Sequence, residues 1–251
     1  MDKEQKVTNN PQIHPFSNLH LLSEQSAPVI ERGKGVYLID TSGTKYLDAM
    51  SSLWCATLGY SQPRLVAAAK KQLDALPYTH SFRGRSTPSI NKLSEKLIDI
   101  SPNQFTNVFF ASSGSEANES AIKIAWSFHK ANGEQARRKI LSHKKSYHGS
   151  AIFSALLSGS ASMHEHQNLK LADIIFTTTP DFHNQGYPAE TEDDFSNRLV
   201  ANLESLILRE RPETISAFIA EPVMGVGGVI IPPKNYFKKA SEEICLLVQV
   251  E

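Results

Sequence analysis

Residues 107–123 read NVFFASSGSEANESAIK. The apolar run 107–111 predicts a short strand, and 112–118 is a turn of small residues. Ala117, Ala121, Ile124 and Phe128 then recur at helical spacing, which predicts a helix over 116–131. A strand passing through a glycine-containing turn straight into an amphipathic helix is the building unit of parallel sheets.

The alternation continues downstream. Strands are predicted at 139–142, 173–177 and 216–220, and helices at 150–157, 195–208 and 236–244. Thr191 and Asp194 form a pair resembling a capping box ahead of the second of these helices. Short apolar strands alternating with amphipathic helices predict an α/β fold, a three-layer αβα arrangement around a mostly parallel sheet. Upstream, GVYLIDTSGTKYLDA at 35–49 reads as a hairpin around a Thr-Ser-Gly-Thr turn. Ser61 and Pro63 open a helix carrying Leu65, Ala69, Leu73 and Leu76, and Thr87 and Pro88 open another carrying Leu93, Leu97 and Ile98. The first twenty residues read as an arm. Residues 1–60 form an N-terminal arm and small element, and 61–251 the first part of a larger α/β domain.

Composition excludes several classes. The 251 residues are 40% hydrophobic and 21% charged, which rules out a disordered tail or a disulfide scaffold. Lys plus Arg and Asp plus Glu are both 26, so no net positive field is available for nucleic acid. No apolar run reaches the ~18 residues of a membrane span. The polar start MDKEQKVTNNPQ and the distant Cys55 and Cys245, read as free thiols, point to the cytoplasm. Neither G-x-x-x-x-G-K-[ST] nor a strand-linked G-x-G-x-x-G occurs, which discounts a nucleotide-binding protein.

Ligands of such sheets bind at the carboxyl ends of the strands, so the loops there carry the chemistry. Ser113, Gly114 and Ser115 precede a helix whose first N–H groups lie at its positive end, a ready anion site; Ser and Gly are equally what an ordinary N-cap prefers. Tyr147, His148 and Gly149 follow the next strand, where a ring stacks on a flat ligand or simply packs at the surface. Glu221 follows the strand at 216–220, as a carboxylate aimed at the same crevice or as a solvated turn acid.

Taken together, SSGSEANESAIK at 112–123, SYHGS at 146–150 and AEPVMGVGG at 220–228 resemble the class III aminotransferases. These are pyridoxal-phosphate (PLP) enzymes of fold type I. DTSGTKYLDAMSSLWCATLGY at 40–60 is similar to that family's small-domain hairpin and substrate-side loop, and SSLWC to its ω-amino acid:pyruvate branch. The resemblance runs from about residue 16 to about residue 243. It implies that Gly114 and Ser115 bind the PLP phosphate, that Tyr147 covers the pyridine ring beside Gly149, and that Glu221 sits near the cofactor. Trp54 would line the substrate pocket, or else be a core aromatic. His148 receives no chemical role. Arg83 and Arg85 offer a carboxylate clamp or plain surface charge.

The resemblance also implies an aspartate for the pyridinium nitrogen and a lysine that holds PLP as a Schiff base. Both are expected beyond residue 251, so no catalytic residue is assigned here. Glu251 is not given the aspartate's role, nor Lys123, Lys144 or Lys145 the lysine's. The implied activity moves an amino group from an amine or ω-amino acid to a keto acid such as pyruvate, in a homodimer without metal, membrane or nucleic acid. The chain itself is then expected to be a truncated copy or a partial gene product, with uncovered apolar faces and poor solubility alone. The competing reading is a non-catalytic remnant that binds PLP phosphate weakly or pairs with a full-length subunit. Aminomutases and decarboxylases sharing these motifs are a third reading.

Overall fold

The computed structural model describes residues 11–24, 27–165 and 173–248. Glu251 and the first ten residues of the arm lie outside them. The chain divides into two compact units, residues 1–93 and 94–251.

The first unit starts with a short helix α1, Leu19–Glu24, and an antiparallel sheet of β1 (Ile30–Lys34), β2 (Tyr37–Asp40) and β3 (Lys45–Leu47). The expected hairpin is β2–β3, with Tyr37 opposite Leu47. Its turn is organised by Asp40, whose buried carboxylate accepts from the Ser42 and Thr44 amides and from the Ser42 and Tyr46 hydroxyls. These bonds, that from Ser42 foremost, hold the Asp40 carboxyl below its ordinary range. The single helical turn α2, Ser51–Trp54, comes next, followed by α3 (Pro63–Ala75) and α4 (Pro88–Ile100), within which the division between the units falls. Ser61 does not cap α3. The N-cap is Gln62, and the Ser61 hydroxyl donates to the Gly33 carbonyl at 2.7 Å. Thr87 does cap α4, accepting from the Ile90 amide at 3.2 Å.

The second unit runs α5 (Gly114–Ala131), β4 (Lys139–His143), α6 (Ile152–Leu157), α7 (Ser162–Glu165), β5 (Ile174–Thr177), α8 (Phe182–Gln185), α9 (Glu192–Glu210), β6 (Ile215–Phe218) and α10 (Tyr236–Val248). The strands are parallel in the order β5-β4-β6. Side chains alternate along a strand, so neighbours in β4 face opposite layers. Ile140 packs with Ile122, Leu157 and Ile174. Leu141 packs with Phe195, Leu199, Leu203 and Tyr236. Helices therefore cover both faces, as the sequence pattern predicts. Thr191 and Asp194 close a full capping box at the start of α9.

The run 107–111 is not a strand. Phe109 and Phe110 are exposed, and among the described residues no neighbour pairs with their backbone. An apolar run becomes a strand only where another strand takes up its amide and carbonyl groups.

Candidate active site

The site is assembled where α5 begins and where β4 and β6 end. Ser113, in extended conformation, is the N-cap of α5; its hydroxyl accepts from the Glu116 amide at 3.2 Å. The Glu116 carboxylate in turn accepts from the Ser112 amide at 2.8 Å. This reciprocal capping uses the Glu116 N–H but leaves the Gly114 and Ser115 N–H groups without a partner among the described residues. They point out of the positive end of an 18-residue helix. Nothing stands within 4 Å of where a Gly114 side chain would begin, so an anion has open access.

Three contacts fasten the loop after β4 to this turn. The Ser115 hydroxyl oxygen accepts from the Ser150 amide at 3.1 Å, leaving its own proton to donate. The Asn118 side-chain amide donates to the His148 carbonyl at 2.7 Å. Gly149, at φ 134°, lies so close that a Cβ there would come within 2.4 Å of the Ser115 Oγ and 2.7 Å of the Ser154 Oγ. The clearance that Gly149 provides is thus between two segments of the chain.

Tyr147 is half-buried between Ser146 and His148, which are both buried. Its backbone N–H donates to the Glu221 carboxylate at 2.9 Å, so the loops after β4 and β6 are tied together. Burial raises the Glu221 carboxyl, and the Tyr147 amide opposes that rise. His148 points inward, with Nε2 at 3.1 Å from the Ser142 Oγ and its amide donating to the Ser158 hydroxyl at 2.8 Å. Burial pushes His148 down to about 4, so it is neutral near pH 7. Asn118 and the serines under the loop were not singled out from the sequence. Asn118 stands inside the quoted SGSEAN string, four residues past Gly114 and on the same helix face.

Taken together, two free N–H groups, a serine hydroxyl and a helix N-terminus suit a phosphate dianion, with an aromatic ring and a carboxylate beside them. None of Lys123, Lys144 and Lys145 is placed for covalent chemistry. Lys123 and Lys144 are exposed, and Lys145 extends to within 3.7 Å of the Asp181 carboxylate. Among the described residues no cluster is suited to a metal ion, and no helix is long and apolar enough to cross a membrane.

Trp54, Arg83 and Arg85 belong to the first unit. Trp54 is 56% exposed in this chain. It ends α2, whose residues Ser51, Ser52, Leu53 and Trp54 all have φ between 48° and 66°. This is a left-handed turn, at roughly 1–2 kcal/mol per residue. Arg83 also has positive φ, and the Arg85 guanidinium contacts the His80 ring at 3.0 Å.

Comparison with known proteins agrees with this geometry. The family model for aminotransferase class-III matches residues 22–250. Vanillin aminotransferase of Capsicum frutescens is 49% identical over 218 residues, 86% of this chain and 48% of its own length. Gamma aminobutyrate transaminase 3, chloroplastic, of Solanum lycopersicum is 49% identical over 84% of this chain and 41% of its own. The chain thus spans about half the length of these curated relatives. Among solved structures, the ω-transaminase of Pseudomonas jessenii in complex with PMP, the aminated form of PLP, superposes with a TM-score of 0.93 at 38% identity, over 100% of this chain and 55% of that one. An engineered thermostable ω-transaminase for enantiopure bulky amines, altered at a tryptophan and at a phenylalanine 28 positions further on, matches with a TM-score of 0.93 at 38% identity, over 98% of this chain and 55% of its own. With both faces of its parallel sheet covered and an anion-ready turn at α5, the chain belongs to the class III aminotransferases, PLP enzymes of fold type I.

Proposed function

We propose that the protein is a transaminase moving an amino group from a primary amine or ω-amino acid to a keto acid such as pyruvate. One observation carries the assignment of the site: the free amides of Gly114 and Ser115 open beside a loop that Asn118, Ser115 and Glu221 lock in place. PLP, when bound, supplies an electron sink for the carbon that exchanges its amino group. Gly114 and Ser115 hold its phosphate through backbone N–H groups and a hydroxyl. Tyr147 covers the ring, and Glu221 orients Tyr147 through its amide. The lysine and aspartate that complete the chemistry are assigned to no residue of 1–251.

Trp54 forms a wall of the amine pocket in this reading. Two facts support it: the indole is exposed, and Phe82 follows Trp54 by 28 residues, the spacing of two of the three positions altered in the enzyme for bulky amines. Phe82, 78% exposed, therefore joins Trp54 in the proposal. The amine class is supported by relatives named for γ-aminobutyrate, vanillin and ω-transamination. A homodimer is supported by the apolar surface of Phe109, Ile124 and Phe128.

The test is the intact mass of the gene product from its own cells, followed by assay of amine-dependent pyruvate consumption. A mass near twice 27.8 kDa with turnover bears the reading out. A mass of 27.8 kDa without turnover favours the non-catalytic remnant instead.

A further inference from the structure

Four consecutive non-glycine residues in the left-handed region make Ser51–Trp54 an unusual stretch of backbone, since L-residues visit that region singly. Elsewhere in the same unit Gly35, Gly43, Gly59 and Gly84 take positive φ angles, and the non-glycine residues that do so, Phe16, Ser61 and Arg83, stand singly. A turn needed only to reverse the chain would use glycine in the same way. Here side chains are kept instead, and Leu53 and Trp54 are both turned outward, 65% and 56% exposed. Neither contributes to the core of its unit.

The turn is held from outside itself. The Ser52 amide donates to the Asp48 Oδ2 at 2.8 Å. The Tyr60 hydroxyl donates to the same oxygen and also meets the Ser52 hydroxyl. The Ser51 amide donates to the Asp48 carbonyl at 3.2 Å. Tyr60 is fixed in turn on the sheet side. Its backbone exchanges hydrogen bonds with Gly35, at 2.7 and 3.3 Å, and its ring lies against Gly33, where a Cβ would come within 2.5 Å of it. The β1 region, Tyr60, Asp48 and the turn thus form one connected chain of contacts.

We propose that Asp48 and Tyr60 are positioning residues that hold the Ser51–Trp54 turn in its left-handed form, fixing the Trp54 indole and thereby the size of amine substituent the enzyme accepts. The inference rests on the reading of Trp54 as a pocket wall. Ordering the indole in advance removes a cost that would otherwise fall on substrate binding, so the effect belongs in KM for bulky amines.

The test uses the full-length protein with Tyr60→Phe, which keeps the ring on Gly33 and removes only the hydroxyl. Deuterium uptake is followed in the peptide covering residues 49–57, and kcat and KM are measured for isopropylamine and 1-phenylethylamine. Uptake is expected to rise in that peptide alone, and the ratio of kcat/KM between the two amines to change about five- to tenfold, through KM. Asp48→Ala moves both readings further, and Asp48→Asn, which keeps an acceptor for the Ser52 amide, recovers part of them. Trp54→Gly separates the two ideas. If it shifts the amine ratio while Tyr60→Phe and Asp48→Asn leave uptake and ratio unchanged, the positioning proposal is overturned and the pocket wall stands. If Trp54→Gly leaves the ratio unchanged, the pocket wall falls and the proposal with it. Should Tyr60→Phe fail to fold, the Asp48→Asn uptake and ratio decide alone.

Discussion

The backbone amide of Tyr147 donates to the Glu221 carboxylate at 2.9 Å, across 74 residues of sequence. It joins the loop after β4 to the loop after β6, so the ring of Tyr147 is aimed by a residue on the neighbouring strand. Two loops that would otherwise move separately are made into one wall.

Removing that acceptor should free Tyr147. Glu221→Ala leaves a half-buried amide without its charged partner, a loss of about 1.5–3 kcal/mol for such a bond. Affinity for PLP, followed by absorbance titration, is expected to fall roughly tenfold or more. Glu221→Gln keeps an oxygen for the amide and should retain most of the affinity. Equal losses in both variants would show that the charge acts on the cofactor directly.

A second expectation concerns acid. His143 is buried against Phe218 and Tyr236, its Nε2 at 2.7 Å from the Tyr236 hydroxyl, and burial pushes it down to about 4. His148 is pushed down to about 4 in the same way. Both are neutral when folded and ordinary when unfolded, so the unfolded chain binds more protons below pH 6.5. Stability is therefore full above about pH 6.5 and is lost as pH falls toward 4, by about 3 kcal/mol for His143 alone. Urea unfolding across pH 4–7.5 checks this. His143→Phe, which also removes the unpartnered Nδ1, should flatten the slope.

The apolar surface at α5 supplies a third. Phe109, Ile124 and Phe128 are each more than half exposed. In the full-length protein, Ile124→Lys should change the unit's own stability by less than about 0.5 kcal/mol, since the side chain packs little within it. If a second copy covers this face, the variant is expected to sediment as a monomer where the parent is a dimer. Unchanged sedimentation would place the subunit contact elsewhere.

The sheet was legible because β4, β5 and β6 are short apolar runs between amphipathic helices, and their alternation alone sets the layers. Gly114, Ser115, Tyr147 and Glu221 were legible as strand-end and helix-start residues. What holds them in place was not. The Asn118-to-His148 and Tyr147-to-Glu221 bonds connect residues 30 and 74 positions apart, and no local periodicity encodes a contact at that range. The run 107–111 failed for the opposite reason: its composition favours a strand, but pairing is decided by a neighbour rather than by the run itself. The left-handed turn at Ser51–Trp54 gave no sign either, because the residues that impose it, Asp48 and Tyr60, lie outside it.

The closure of the β4 loop on α5 makes a sharper contrast between two glycines. At Gly149 a methyl group would meet the Ser115 and Ser154 hydroxyl oxygens at 2.4 and 2.7 Å, on a backbone at φ 134°. Strain and overpacking together should make Gly149→Ala cost about 2–4 kcal/mol in urea unfolding. Ser154→Ala in the same chain removes the Oγ contact but keeps the Ser154 Cβ at 2.9 Å, so the double variant should recover only part of that loss, a coupling that a mutant cycle measures. At Gly114 nothing stands within 4 Å and φ is not positive, so Gly114→Ala should leave stability within about 0.5 kcal/mol. Its amide survives the substitution. If phosphate is held by that amide alone, PLP affinity is kept; if the anion needs the space above the helix turn, affinity falls while stability does not. The pair of glycines therefore separates a residue required by the fold from one required by the ligand.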